Sequence, residues 1–175
     1  MRKVDSFIKA PTRAGFEKLE ISGDVEKMDY LYIHAPTLAK RYFTCQDWVE
    51  LCQFKQDFAT RTALLQNAVE CIGSIEDCRI VFKEDKRDEF YEQIMNKAIV
   101  FCVSFEDILD TICTFELTQE DSYKKYGKKL VKQAIKLIAT PEDVENFTGI
   151  IPIDDTESIS KLGEKAFKIC KEDLF

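Results

Sequence analysis

Phe90-Tyr-Glu-Gln-Ile94-Met-Asn-Lys-Ala98-Ile-Val-Phe101-Cys-Val-Ser-Phe105-Glu-Asp-Ile108-Leu-Asp-Thr-Ile112 decides the fold class. Its apolar positions step by three and four, which places them on one side of a helix. The β-branched content of residues 98–104 suits a strand, yet the helical stepping continues through them, so one long helix is the expectation. Residues 79–82 pose the same choice and are read the same way.

Working outward, Trp48, Leu51, Phe58, Leu65, Ala68, Val69 and Ile72 recur at spacings of three, four and seven. They predict one amphipathic helix of about 27 residues from Thr44, closed by Gly73 at C′. Helix starts are marked by Thr44-Cys-Gln-Asp47, Ser74-Ile-Glu-Asp77, Thr118-Gln-Glu-Asp121 and Thr140-Pro-Glu-Asp143. In each, the hydroxyl can accept from an orphan N–H of the first turn, and the carboxylate can reach back. Asp24 opens a weaker helix that stops before Pro36, and Pro36 fits the first position of the next. After Thr118, Tyr123, Tyr126, Leu130, Ala134 and Leu137 share one face. The stretch Gly149-Ile-Ile-Pro-Ile153 reads as an extended connector. Asp155 or Thr156 opens a last helix with Ile159, Leu162, Ala166, Phe167 and Cys170.

Residues 1–23, punctuated by Pro11, Gly15 and Gly23, read as an irregular arm pinned by Phe16 and Leu19, with 19–21 as a short extended piece. Residues 24–175 read as a single all-α domain, an antiparallel bundle of five to six main helices. With 6 Gly and 4 Pro in 175 residues the chain has too few turns for a sandwich or barrel.

The formal charge is −7, which disfavours wrapping nucleic acid and suits a partner with a basic surface. Seven Cys without a C-x-x-C read as reduced thiols in a cytoplasmic protein. Cys45 and Cys52, and Cys71 and Cys78, are each seven apart, too far for a disulfide along one helix. The N-terminus has no signal-type apolar region, and no apolar run is long enough to span a bilayer.

The charged feature that stands out is Lys124, Lys125, Lys128, Lys129, Lys132 and Lys136. At helical pitch they share an arc of about 140°. These six on a chain of −7 leave −13 elsewhere, so the molecule is electrically two-faced. The arc would hold an anion, a nucleic-acid backbone or an acidic partner, or serve as a solvated face. Glu106, Asp107 and Asp110 lack the Glu-x-x-His partners of a di-metal bundle, and no metal or other cofactor is expected. His34, the one histidine, belongs at a helix end, and no nucleophile is matched to it, so no catalytic residue is assigned. Nucleotide-binding glycine loops and nucleophile elbows do not occur.

A helical bundle of this size resembles in outline the HEPN domains of prokaryotic toxin–antitoxin and phage-defence systems. Ribonuclease members of that family carry an Arg followed, after four to six intervening residues, by a His. Here Arg13 stands 21 residues before His34, so the resemblance implies a version without that motif. The functional expectation is a non-enzymatic protein-interaction module: an inhibitor, an immunity or antitoxin protein, or a regulatory subunit. A protein partner is expected, a homodimer is allowed, nucleic acid on the lysine face is the alternative, and no membrane is involved. Trp48 and Phe90 mark the helices expected to carry an apolar interface.

Overall fold

A computed structural model describes residues 3–20, 25–55, 57–85 and 88–172. Among these residues the chain is all α, with no strand. It divides into two compact units, Met1–Ile94 and Met95–Phe175.

The first unit begins with α1 (Lys3–Lys9) and α2 (Arg13–Glu20), so the stretch read as irregular is helical. Phe16 and Leu19 are buried as anticipated, together with Phe7. Phe16 stacks on Tyr42 at 5.2 Å and Phe7 meets Tyr42 edge-on at 5.5 Å, a cluster that anchors two helices too short to persist alone. Residue 21 of the expected extended piece, and Gly23 and Asp24, lie outside the described residues. Then follow α3 (Val25–His34) and α4 (Pro36–Tyr42), with Pro36 in the first turn as expected.

The predicted helix from Thr44 is broken in two. Helix α5 (Cys45–Gln53) opens with the Thr44/Asp47 capping box, and α6 (Phe58–Cys71) restarts where the Asp57 carboxylate accepts from the Thr60 N–H at 2.7 Å. The break lets α5 and α6 pack on each other, which one straight helix cannot do. The Cys52 thiol lies 3.8 Å from the Arg61 carbonyl as a result. No Gly or Pro marks the break. Gly73 does follow the end of α6, with its N–H held by the Asp77 carboxylate at 3.0 Å. Helix α7 (Ile75–Glu84) is capped by Ser74 and includes residues 79–82, as read. The Arg61 guanidinium, 2.9 Å from Glu84, ties α6 to α7. Cys71 and Cys78 therefore sit on different helices.

The deciding stretch is also two helices, α8 (Asp88–Phe101) and α9 (Phe105–Thr114). Between them Ser104 and Asp107 form a capping box, a fifth word of the same kind that the unbroken periodicity hid. The Asp107 carboxylate also accepts from the Val103 N–H at 3.3 Å, and Gln133 donates to the Cys102 carbonyl at 2.7 Å. The backbone groups freed by the break are thus paired.

In the second unit Thr118 caps nothing. Helix α10 (Glu120–Ser122) starts one residue too late for it, with Gln119 at the N-cap and no side-chain bond there. Glu116, at φ 54°, turns the chain ahead of it. A π turn (Tyr123–Gly127) joins α10 to α11 (Lys128–Leu137). Helix α12 (Pro141–Thr148) carries the expected Thr140/Asp143 box, and α13 (Thr156–Glu172) follows Asp155. Helix α11 packs on α9 and α13, and α13 on α12. Leu130, Ala134, Phe147 and Leu162 are buried there, whereas Ile159, Phe167 and Cys170 of the expected α13 face are exposed. The buried face of α13 runs instead through Ser158, Leu162 and Ile169. Residues 149–153 form turns, with Ile151 buried and Ile153 exposed, rather than an extended connector.

Candidate functional site: a lysine groove between two helices

The π turn sets the register of the lysines. Its extra residue per turn needs close backbone approach at Gly127, where a Cβ would lie 2.5 Å from the Leu117 carbonyl oxygen and 2.8 Å from the Tyr123 ring. The widened turn is held by Tyr123, whose hydroxyl donates to the Asp155 carboxylate at 2.6 Å. Ser158 donates to the same carboxylate through Oγ at 2.7 Å and N–H at 3.2 Å, so Asp155 is the N-cap of α13. Lys128 Nζ stands 3.4 Å from its other oxygen.

Asp155 is only 7% exposed. Burial by itself pushes its pKa up; the Tyr123 and Ser158 hydrogen bonds and the Lys128 charge outweigh that and hold it at about 2. Burial, then the hydrogen bond to Asp155, pushes the Tyr123 phenol well above its ordinary value. Each group fixes the other in one protonation state, so the cluster is a clamp on the start of α13.

Two residues on, the Glu157 carboxylate collects three ammonium groups: Lys161 at 2.7 Å, and Lys128 and Lys132 at 3.4 Å. Lys161 first, then Lys128 and Lys132, lower its pKa to about 2. Lys124 is taken by Glu120 at 2.6 Å, which raises the Lys124 pKa. Lys125 lies over the Tyr126 ring at 5.1 Å. The beginning of the lysine arc is therefore largely committed inside the fold.

The end of the arc is not. Lys132 and Lys136 of α11 face Lys161, Lys165 and Lys168 of α13 across an open groove of about 460 Å³, with Glu164 on the α13 wall. Ile135 is the apolar residue of the lining, and lysine methylene stems add apolar surface beside it. Among the described residues no carboxylate pairs with Lys136, Lys165 or Lys168. Lys129 is exposed beside this region. The α13 contribution went unread in the sequence, although Lys161, Lys165 and Lys168 stand at i, i+4 and i+7, the spacing of one helix edge.

The other candidates fall elsewhere. Trp48 and Phe90 are both 0% exposed and offer a partner no surface. Trp48 is enclosed by the rings of Phe43 at 4.8 Å and Tyr32 at 5.4 Å. Among the described residues of that unit, the large apolar side chains left exposed are Ile33, Phe54 and Phe58, two of which flank the α5–α6 break. Asp107 serves as a cap, separate in role from Glu106 and Asp110. His34 ends α3 in solvent, its ring 4.1 Å from Tyr30. Cys45, Cys52, Cys78 and Cys102 are buried thiols outside any disulfide that reach backbone carbonyls at 3.7–3.8 Å. Burial foremost, with the nearby Glu84 charge, pushes the Cys52 thiol up to about 12, so it behaves as a small apolar side chain.

Among the described residues no three His, Cys, Asp or Glu side chains converge as a metal site, and no helix is long and apolar enough to cross a membrane. Compared with protein-family models, with curated proteins and with solved structures, the chain matches none.

Proposed function

We propose that this chain is a non-enzymatic binding module that takes an acidic protein partner on the α11–α13 groove. The observation that carries this reading is the convergence of five lysines from two helices on one groove, in a chain whose formal charge is −7. Lys132 and Lys161 share Glu157, whereas Lys136, Lys165 and Lys168 have no carboxylate partner among the described residues. Like charges held together in this way raise the local potential and cost stability unless a ligand relieves them. The titratable groups next to the groove support a binding role over a catalytic one. Asp155 and Tyr123 are locked to each other, and Glu157 is saturated by lysines.

The test is charge reversal with a matched control. Lys136→Glu/Lys165→Glu/Lys168→Glu should abolish retention of the stoichiometric partner that co-purifies with the wild-type chain from its host. Lys83→Glu, an exposed lysine of the first unit, should leave it intact. Equal retention by both variants would remove the groove as the binding surface.

A further inference from the structure

We propose that the groove is shaped for an acidic amphipathic helix, one with an apolar ridge flanked on both sides by carboxylates at i and i+4. This rests on the reading of the groove as the partner site and names the form of the partner. Both walls are helices, and their cations repeat at helical spacing: Lys132 and Lys136 on α11, Lys161, Lys165 and Lys168 on α13. From Lys161 to Lys168 is about 10 Å along the α13 axis, two turns of a docked helix.

The lining decides between helix and polyanion. It comprises Ile135, five lysines whose methylene stems carry apolar surface, and Glu164. A helix can set Leu or Ile against that apolar surface and send Glu to the ammonium groups of each wall, the helix-in-groove mode. A nucleic-acid strand carries phosphates along its edge and stacks its bases on aromatic or Arg planes. The lining has neither Arg nor an aromatic ring, and Phe167 is not part of it. Glu164, on the α13 wall, repels a uniformly charged polymer, yet a docked helix with a single Lys opposite it gains a register mark.

The experiment uses the full chain and three fluorescent probes at fixed salt: a synthetic peptide with a Leu ridge flanked by Glu at i and i+4, polyglutamate of the same charge, and single-stranded RNA. Binding is read by anisotropy and peptide helicity by circular dichroism, for wild type and for Lys136→Glu/Lys165→Glu/Lys168→Glu, whose folding is checked by its own melting curve. The expected result has three parts: the peptide binds at least about tenfold tighter than polyglutamate, gains helicity on binding, and loses at least about tenfold in affinity to the reversed chain. If polyglutamate or RNA binds wild type as tightly as the peptide does, and the reversal still weakens it, the anion site stands and the helical partner is overturned. If no probe distinguishes wild type from the reversed chain, both this inference and the reading beneath it fall.

Discussion

The lysine arc behaves as two regions. At its start, Lys124 and Lys128 meet carboxylates of the same chain, and Lys128 joins the Tyr123–Asp155–Ser158 clamp that fixes α13. At its end, Lys136 faces Lys165 and Lys168, and no carboxylate of the described residues pairs with any of the three, although Glu164 lines the same groove. The residue type and neighbourhood in the sequence are the same, and Lys128 and Lys136 belong to one helix. What differs is the opposing surface: α13 presents Asp155 and Glu157 in its first turn and three lysines further along. An acidic first turn facing lysines is also what the helix dipole favours. A charged stripe is therefore neither structural nor functional as a unit, and substitutions should divide it.

The largest effect is expected at the clamp. Asp155→Ala removes the cap of α13 and leaves the buried Tyr123 hydroxyl without its partner, a loss of about 3 kcal/mol in denaturant unfolding. The same carboxylate gives a pH signature. Its folded pKa of about 2 lies below the ordinary value of 3.8, so its stabilisation is complete above pH 4 and is lost as pH falls toward 2. In Asp155→Asn that part of the acid slope should vanish. An unchanged slope between pH 4 and 2 would show that the clamp does not hold its charge in solution.

Next comes Gly127→Ala, which drives a methyl into the Leu117 carbonyl and the Tyr123 ring and should cost about 1–3 kcal/mol. If the π turn instead relaxes to an ordinary α turn at little cost, the Tyr123–Asp155 bond should be lost, and the Asp155 pKa, followed by NMR, should rise toward 3.8. Smaller again is the pair Ser104→Ala and Thr118→Ala. The first removes a capping box, at about 1 kcal/mol, and the second removes a hydroxyl that caps nothing, with a change within about 0.5 kcal/mol. Equal effects would mean that the same four-residue word acts alike inside and outside a cap.

That pair also shows what the sequence could and could not tell. Helix class was legible because three-and-four spacing survives a short break: the residues after Ser104 resume on the same stripe as those before it. The break itself is set by a hydroxyl and a carboxylate, and by long-range partners such as Gln133 on the Cys102 carbonyl, which a local pattern does not contain. Thr118 failed for the opposite reason: its word is right and its position is one residue early, moved by the left-handed Glu116. The lysines of α11 were legible as an arc, but which of them stay available depends on α13, about 30 residues later. The π turn had no visible mark beyond Gly127.

The smallest expected change in stability carries the most information about the groove. Lys165→Gln removes one of several like charges that face one another, so the melting temperature should hold or rise slightly, with a stability change within about 0.5 kcal/mol. Lys128→Gln, by contrast, takes a cation away from both Asp155 and Glu157 and should lower stability, more at low salt than at high salt, where those pairs are already screened. The sign of the difference is the test, because neither helix propensity nor burial distinguishes two Lys→Gln changes at half-buried positions of neighbouring helices. If Lys165→Gln destabilises as Lys128→Gln does, a carboxylate outside the described residues must already neutralise the far end of the arc, and the groove is then a closed ion-pair network. If it stabilises while weakening partner binding, the chain tolerates internal repulsion at the one place where an acidic helix would relieve it.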